Sequence, residues 1–519
     1  MERPLPQDGE PRRLRIFGGG LAGLALAISV QEELRGWQVT LVDKRFPQSN
    51  TQLSGMRFRE GVANRRTRSA EEILELLTRR TGTEPSKLME KFAQSAAVEL
   101  RRWESRPDFV GGEDRPDWFG PQWGAPNRAG KGRGKSTLDW LRRVAGHSGV
   151  AVEAGELRRL HVDRGSITGA EVVVERDGVR VREVQQASAY VLANGTSTGL
   201  LFESTNRTID WAAHEVAFAS GLPLVGATVH MIHPFGNADS TGAPRIGCLE
   251  TDLLAGAEVH VSRGDGTFAE HPRLTELLAK HEAHYHFPDI VRELSAGGGT
   301  TRLRLPDRRE LTATVAEHYY HIGVEAEGDG VSIAGTDNGF AVGDASGIVA
   351  WTGYQERFPG FALTKCLIDA RVVTDLLSAG RAAGAAVRAG AAQGGDAGDG
   401  VGSGSGSGSG VGSGVGVGVG VAGETVMDVA IDVEDKARSA VAPTVRRVNS
   451  SWLRRILSAG SKADQASAAC EWAEQAMVLA AGAPGVHVAE LSFGIAMAHV
   501  RRFAGIGEPI RVQRLGVVA

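Results

Sequence analysis

The sequence predicts an α/β fold: a Rossmann-like nucleotide-binding domain in two pieces, separated by an intervening segment and followed by a small helical C-terminal tail. Three observations carry this. A strand, glycine turn, helix, strand pattern opens the chain, a second glycine-bounded strand lies far downstream, and a Gly/Ser/Val repeat sets off the last part. With 519 residues, 42% of them hydrophobic, there is material for two or three packed domains at roughly 100–200 residues each. Lys and Arg total 58 against 62 for Asp and Glu, a formal charge of −4, so no global basic field concentrates the chain on nucleic acid. Cys248, Cys366 and Cys470 lie far apart with no CxxC or Cys/His spacing, so neither a disulfide framework nor a metal site is indicated, and the chain reads as reduced and cytoplasmic. The best apolar run, Ile16–Val30, has four glycines among 15 residues, too short for a membrane span.

The first element is Leu14-Arg-Ile-Phe-Gly18-Gly-Gly20-Leu-Ala-Gly23-Leu-Ala-Leu-Ala27, followed by the strand Trp37-Gln-Val-Thr-Leu-Val-Asp43 and Lys44. Gly18 makes the tight turn, Gly20 lets a pyrophosphate approach the backbone, and Gly23 with Ala27 lets the helix lie against the sheet. The helix N-terminus adds free N–H groups and positive dipole charge. Asp43 lies 20 residues after Gly23, where an acid accepts the ribose hydroxyls of an adenosine. This motif does not distinguish NAD from FAD.

Two later segments bear on that choice. Asn338-Gly-Phe-Ala-Val-Gly343-Asp344-Ala-Ser-Gly347 resembles the late strand of two-dinucleotide-fold flavoproteins, whose terminal acid meets the ribitol of FAD. Ala189-Tyr-Val-Leu-Ala-Asn194-Gly195 resembles the "V-L-A-T-G-G" strand by which that class returns to the nucleotide domain. Further fragments in the same order make the chain similar to the family of fumarate reductase, succinate dehydrogenase, L-aspartate oxidase and 3-ketosteroid dehydrogenase. His230-Met-Ile-His233-Pro234 looks like "Q-x-H-P", Leu249-Glu-Thr251-Asp252 like "L-x-T-E", and Glu317-His318-Tyr319-Tyr-His-Ile-Gly323 like "A-H-Y-x-x-G-G". Glu356-Arg357-Phe-Pro-Gly-Phe-Ala362-Leu363 looks like "N-R-x-x-x-x-S-L".

The resemblance implies an FAD domain at residues 1–222 and 339–388, an inserted α+β capping (substrate) domain at 223–338, and a cleft between them. It implies hydride transfer between flavin N5 and a small carboxylate- or carbonyl-bearing substrate, with an unspecified electron donor or acceptor. His233, His318 and Arg357 stand at its carboxylate-binding positions, and Thr251 and Asp252 at a second clamp and proton path. Taken alone, each has a plainer reading: His233 as a turn residue, His318 as a core histidine, Arg357 as a surface cation, Thr251 and Asp252 as a helix N-cap.

Departures accompany the matches. The family's proton-donating arginine belongs to a "P-R-D" segment, and Phe287-Pro288-Asp289 has none; His286 or Tyr285 could replace it, or serve only as a solvated helix end. Ser49-Asn50-Thr51, with Gly55 beyond it, aligns with the "S-H-T" segment that carries covalent flavin in membrane-complex members; Asn50 cannot form that bond, so FAD is expected to be non-covalent. An NAD(P)H-dependent flavin hydroxylase and a catalytically silent flavoprotein acting as a binding protein remain as alternatives. Residues 389–423, a dipeptide repeat unable to build a core, are expected to form a flexible linker. The rest, 424–519, is expected to be a small helical appendage, with helical spacing in Ser450–Leu457 and Lys462–Ala481.

Overall fold

The computed structural model describes residues 11–44, 49–54, 56, 58, 87–111, 122–125, 132–195, 200–202, 204, 210–228, 230–238, 249, 254–280, 283, 287–296, 298–320, 322–347, 361–380, 422–505 and 511–513. β1 (Arg12–Phe17), α1 (Leu21–Glu33) and β2 (Trp37–Asp43) open it, followed by α2 (Lys87–Glu104), α3 (Arg133–His147) and β3 (Ala151–Ala154). An antiparallel three-stranded sheet of β4 (Glu156–Asp163), β5 (Ser166–Arg176) and β6 (Val179–Gln185) comes next, then β7 (Ala189–Leu192) and α4 (Ala213–Ala219).

The parallel sheet has the order β15–β7–β1–β2–β3, with β15 at Gly339–Ala341. β7 and β15, covered on both faces, read as buried apolar runs, whereas β1 and β2 alternate along their first residues. Leu14, Ile16, Val39 and Leu41 face α1, whose residues Leu21 to Val30 are all buried, while Phe17, Val42, Tyr190 and Leu192 enter a second core. The chain steps outward from β1 to β2 and β3, then returns to the other side of β1 with β7 and β15. That reversal opens a crevice at the carboxyl ends of β1 and β7, the place where such sheets bind ligands.

β8 (Leu224–Val225) leads into a second, antiparallel unit: β9 (His230–Asn237), β10 (Glu258–Ser262), β11 (Phe268–Glu270), α5 (Pro272–Ala279), α6 (Phe287–Ala296), β12 (Thr300–Arg304) and β13 (Glu310–Tyr320). Its antiparallel sheet, β11–β10–β12–β13–β9, closes over Phe235, Val259, Leu274, Ile290 and Leu303. β14 (Gly323–Val324) carries the chain back and pairs antiparallel with β8, so exit and return share one two-stranded hinge.

α7 (Phe361–Ser378) packs against α1, and three helices follow: α8 (Ala422–Ser458), α9 (Lys462–Gly482) and α10 (His487–Phe503). The expectation of a small appendage is corrected here. Val445, Leu453, Trp472, Leu491 and Ile495 of the tail share one core with Leu157, Leu160, Val216 and Leu224 of the body. Arg158 forks onto Asp435 at 2.7 and 3.1 Å, Arg438 meets Glu215 at 2.6 Å and Asp210 at 2.8 Å, and Val512 exchanges two 3.0 Å backbone hydrogen bonds with Leu224. α9 covers the stretch whose spacing predicts a helix, whereas Ser450–Leu457 proves to be the end of a 37-residue helix that contains Pro443. The upstream turns of α8 were illegible because they meet the body through charged side chains rather than an apolar stripe, and a proline argues against a helix interior.

Candidate functional site

Four elements converge on the crevice. Gly18, φ +121°, sits so close to β7 that a Cβ there would lie 2.4 Å from the Ala193 carbonyl oxygen. A Cβ on Gly23 would lie 1.9 Å from the Gly18 carbonyl oxygen, so this glycine lets α1 start directly against the turn. Gly20 is different: a Cβ there would meet nothing nearer than the Thr51 hydroxyl, at 3.4 Å. A Cβ at Gly20 would make ordinary contacts with Thr51 and Ser49, while at Gly18 and Gly23 the backbone leaves no room for one. Thr51, on a 3-10 turn at Asn50–Leu53, accepts the Leu21 N–H at 3.3 Å, which fixes that turn to the start of α1. The Asp43 carboxylate accepts the Gly19 N–H and so is tied to the glycine loop.

Asn194 at the end of β7 donates to the Trp211 carbonyl at 2.7 Å, and Gly195 (φ +71°) accepts from Ala213. Gly343 (φ +64°) starts a 3-10 turn, Gly343–Ala345, so close to α1 that its Cβ would lie 2.9 Å from that of Ala22. Asp344 follows on the same turn, where desolvation raises its carboxyl above the ordinary range and Lys365 opposes the rise. Ala362, buried, and Leu363, half-buried, lie in the first turn of α7. Lys44, by contrast, is turned toward β4, where it pairs with Glu156.

A dinucleotide fits this cradle. The Ser49 hydroxyl and the Asn194 Oδ1 are buried with no hydrogen-bond partner among the described residues, and both border the glycine loop. Buried polar groups of this kind require a partner, and a phosphate with its sugar supplies acceptors for a hydroxyl and donors for an amide oxygen. Ser49 was missed in the sequence because nothing local separates it from a turn serine.

β9 and β13 carry the histidines that the sequence singles out. His233 stands opposite Ala316 in their antiparallel register, and its Nδ1 accepts the Phe235 N–H at 3.1 Å, so the neutral ring carries its proton on Nε2. The ring retains some solvent contact, yet desolvation by the packed atoms around it pushes it down to about 4, and at neutral pH it is a hydrogen-bond donor rather than a cation. The register shifts between Glu317 and Tyr319, leaving His318 as the extra residue of a β-bulge. Bulges of this type re-aim a strand at functional sites. Phe287-Pro288-Asp289 begins α6. Gly55, Thr251, Asp252, His286 and Arg357 lie outside the described residues, as do the side chains of Asn50 and His318. No group of three or more metal-ligating side chains occurs among the described residues, and no helix there is long and apolar enough to cross a membrane.

No family model matches the chain, and no curated protein matches it. Solved structures do. Escherichia coli quinol fumarate reductase FrdA is 16% identical with a TM-score of 0.58, covering 95% of this chain and 88% of that one. Mycobacterium smegmatis Sdh1 is 17% identical with a TM-score of 0.59, covering 95% and 86%. Adenylylsulfate reductase from Archaeoglobus fulgidus is 12% identical with a TM-score of 0.56, covering 97% and 93%. The chain has the fold of these proteins, and the high coverage takes in the tail as well as the body.

Proposed function

We propose that the protein is an FAD-dependent oxidoreductase that moves a hydride between flavin N5 and a small carboxylate- or carbonyl-bearing substrate, working in the reducing cytoplasm with a separate electron donor or acceptor. The observation that carries the reading is the crevice itself. Three glycine-ended strands, β1, β7 and β15, converge with the Thr51 turn near Gly20, where two buried polar atoms have no partner among the described residues. NAD needs only the first of these strands, whereas FAD is long enough to use the Asp344 turn as well. Because Asn50 stands at the linking position, the flavin is held without a covalent bond.

FAD supplies the hydride acceptor or donor when bound. The chain's own residues do the rest. Gly18, Gly20 and Gly23 bring α1's N-terminus to the pyrophosphate, Asp43 and Asp344 take the ribose and ribityl hydroxyls, and Thr51, Gly55, Asn194, Gly195, Ala362 and Leu363 line the remainder. Lys44 lies at the rim, paired with Glu156. On the cap side, His233 donates through Nε2 to a substrate oxygen, His318 and Arg357 complete the grip on a carboxylate, Thr251 and Asp252 form the second clamp, and His286 handles the proton. A neutral His233 makes Arg357 the main source of positive charge in this set.

The test is the visible spectrum of the purified full-length protein, followed by bleaching against dicarboxylates, amino acids and ketosteroids. A flavin spectrum, released by acid precipitation and bleached by one of these classes, is expected. Flavin that stays with the precipitate contradicts the non-covalent reading, and a protein with unaltered ligand-induced spectra in Arg357→Ala places the substrate elsewhere.

A further inference from the structure

α7 carries a lysine where a helix disfavours one. Lys365 is the fifth residue of Phe361–Ser378, near the end where the helix dipole repels a cation, and its side chain is only 1% exposed. Burying an ammonium costs several kcal/mol unless its donors are satisfied. Here they are: Nζ donates to the Gly343 carbonyl at 3.0 Å, to the Ser346 hydroxyl at 2.6 Å and to Asp369 Oδ2 at 2.6 Å. Asp369, also fully buried, lies at i+4 on the same face, and its Oδ2 accepts the Gly343 N–H at 2.7 Å.

One buried ion pair therefore holds both backbone polar groups of Gly343. That residue has no side chain with which to hold itself, because Ala22 occupies the place of a Cβ. Asp344 is the next residue on the same turn. Desolvation raises both carboxyls, Asp369 to about 6, and Lys365 opposes the rise in each. A methionine at 365 would fill the same volume. It would also strand Asp369 as a buried group without a cation and leave the Gly343 carbonyl without this donor.

We propose that Lys365 is a positioning residue of the cofactor site: with Asp369 it sets the Gly343–Ser346 turn so that Asp344 meets the ribityl hydroxyls of a bound flavin. It acts through Asp344 and touches no cofactor atom. The proposal rests on the flavin reading above.

The experiment is a double-mutant cycle on full-length protein freed of flavin, with FAD titrated by fluorescence quenching. Lys365→Met and Asp344→Asn should each weaken FAD binding roughly ten- to hundredfold, the range of a charged hydrogen bond. The double variant should be no weaker than the worse single, because both act along one route. Lys365→Met combined with Asp43→Ala, at the adenosine end, should instead show multiplied losses. If Lys365→Met does not fold, Lys365→Met/Asp369→Leu, which leaves no unpaired charge, takes its place in both cycles. Wild-type affinity in Lys365→Met, or losses that multiply with Asp344→Asn, would overturn the proposal. A folded wild type that takes up no FAD overturns the flavin reading beneath it.

Discussion

The glycine-lined crevice and the seam between tail and body are joined by opposite means. At the crevice, β1, α1, β7 and β15 approach by omission: Gly18, Gly23 and Gly343 lie so close to neighbouring atoms that no side chain fits. At the seam, α8 approaches by addition, with Arg158–Asp435, Arg438–Glu215 and Arg446–Asp210 reaching across. Desolvation opposes ionisation of Asp435, yet Arg158 and Arg180 overcome it and hold the carboxyl at about 2. A join made by omission is steric, short in range and indifferent to pH. A join made by charge pairs depends on partners more than 200 residues apart, as with Arg158 and Asp435 at a separation of 277. The seam also touches the crevice, since Glu215 accepts from both Arg438 and the Trp211 N–H, and the Trp211 carbonyl accepts from Asn194.

The difference can be broken from either side. The largest effect is expected at Gly18→Ala, which places a Cβ 2.4 Å from a backbone oxygen at a φ of +121° that L-residues avoid. A loss of ~4 kcal/mol or more is expected from strain and overlap together, read as little soluble protein or a sharply lowered denaturant midpoint. Arg438→Ala comes next. It leaves Glu215, 2% exposed, as a buried carboxylate without this partner, at a cost of ~3–5 kcal/mol measurable by urea unfolding. Restoring most of that loss by Arg438→Met/Glu215→Gln would mark the seam as electrostatic.

A smaller effect separates the regions by pH. His214 of α4 and His499 of α10 are buried, and desolvation pushes them to about 4 and about 3 from 6.5. The unfolded chain takes up their protons at about pH 6.5 while the folded chain does not, so stability falls as pH drops below that value, by ~1.4 kcal/mol per histidine per pH unit. His499→Phe, which can keep the ring contact with Trp472 at 5.3 Å, should remove one histidine's share of this slope between pH 6 and 4. An unchanged slope would mean the ring is already protonated in the fold. The smallest effect is expected in the Gly/Ser/Val repeat, which up to residue 421 lies outside the described residues. Shortening the repeat by about ten residues should change the melting temperature by no more than a few tenths of a kcal/mol implies, because closure entropy varies slowly with length.

These contrasts also explain what could be read from the sequence. The strand, glycine turn and helix around Gly18, Gly20 and Gly23 were legible because they are local, although the contact that excludes a side chain at Gly18 comes from Ala193, beyond β7. β7 and β15 were legible because each ends in the same kind of glycine turn. Ser49 and Lys365 were not, since a serine in a loop and a lysine in a helix look ordinary until the neighbouring element is in place. The tail failed for a related reason. The upstream turns of its first helix reach distant charge partners, its apolar residues enter the shared core only from Ala442 onward, and Pro443 hides its continuity. On the cap, His233 was found as a position, but its neutral state depends on burial that no spacing records.

The most direct measurement compares FAD uptake by wild type and Gly20→Val, with melting temperature as the control. At Gly20 the first added carbon meets nothing nearer than 3.4 Å, so the variant should fold, while its branched side chain fills the space proposed for the pyrophosphate. The account predicts one acid-releasable FAD per wild-type chain and almost none in a Gly20→Val protein of similar melting temperature. Full FAD occupancy in folded Gly20→Val, or a wild type that binds no flavin, would contradict it.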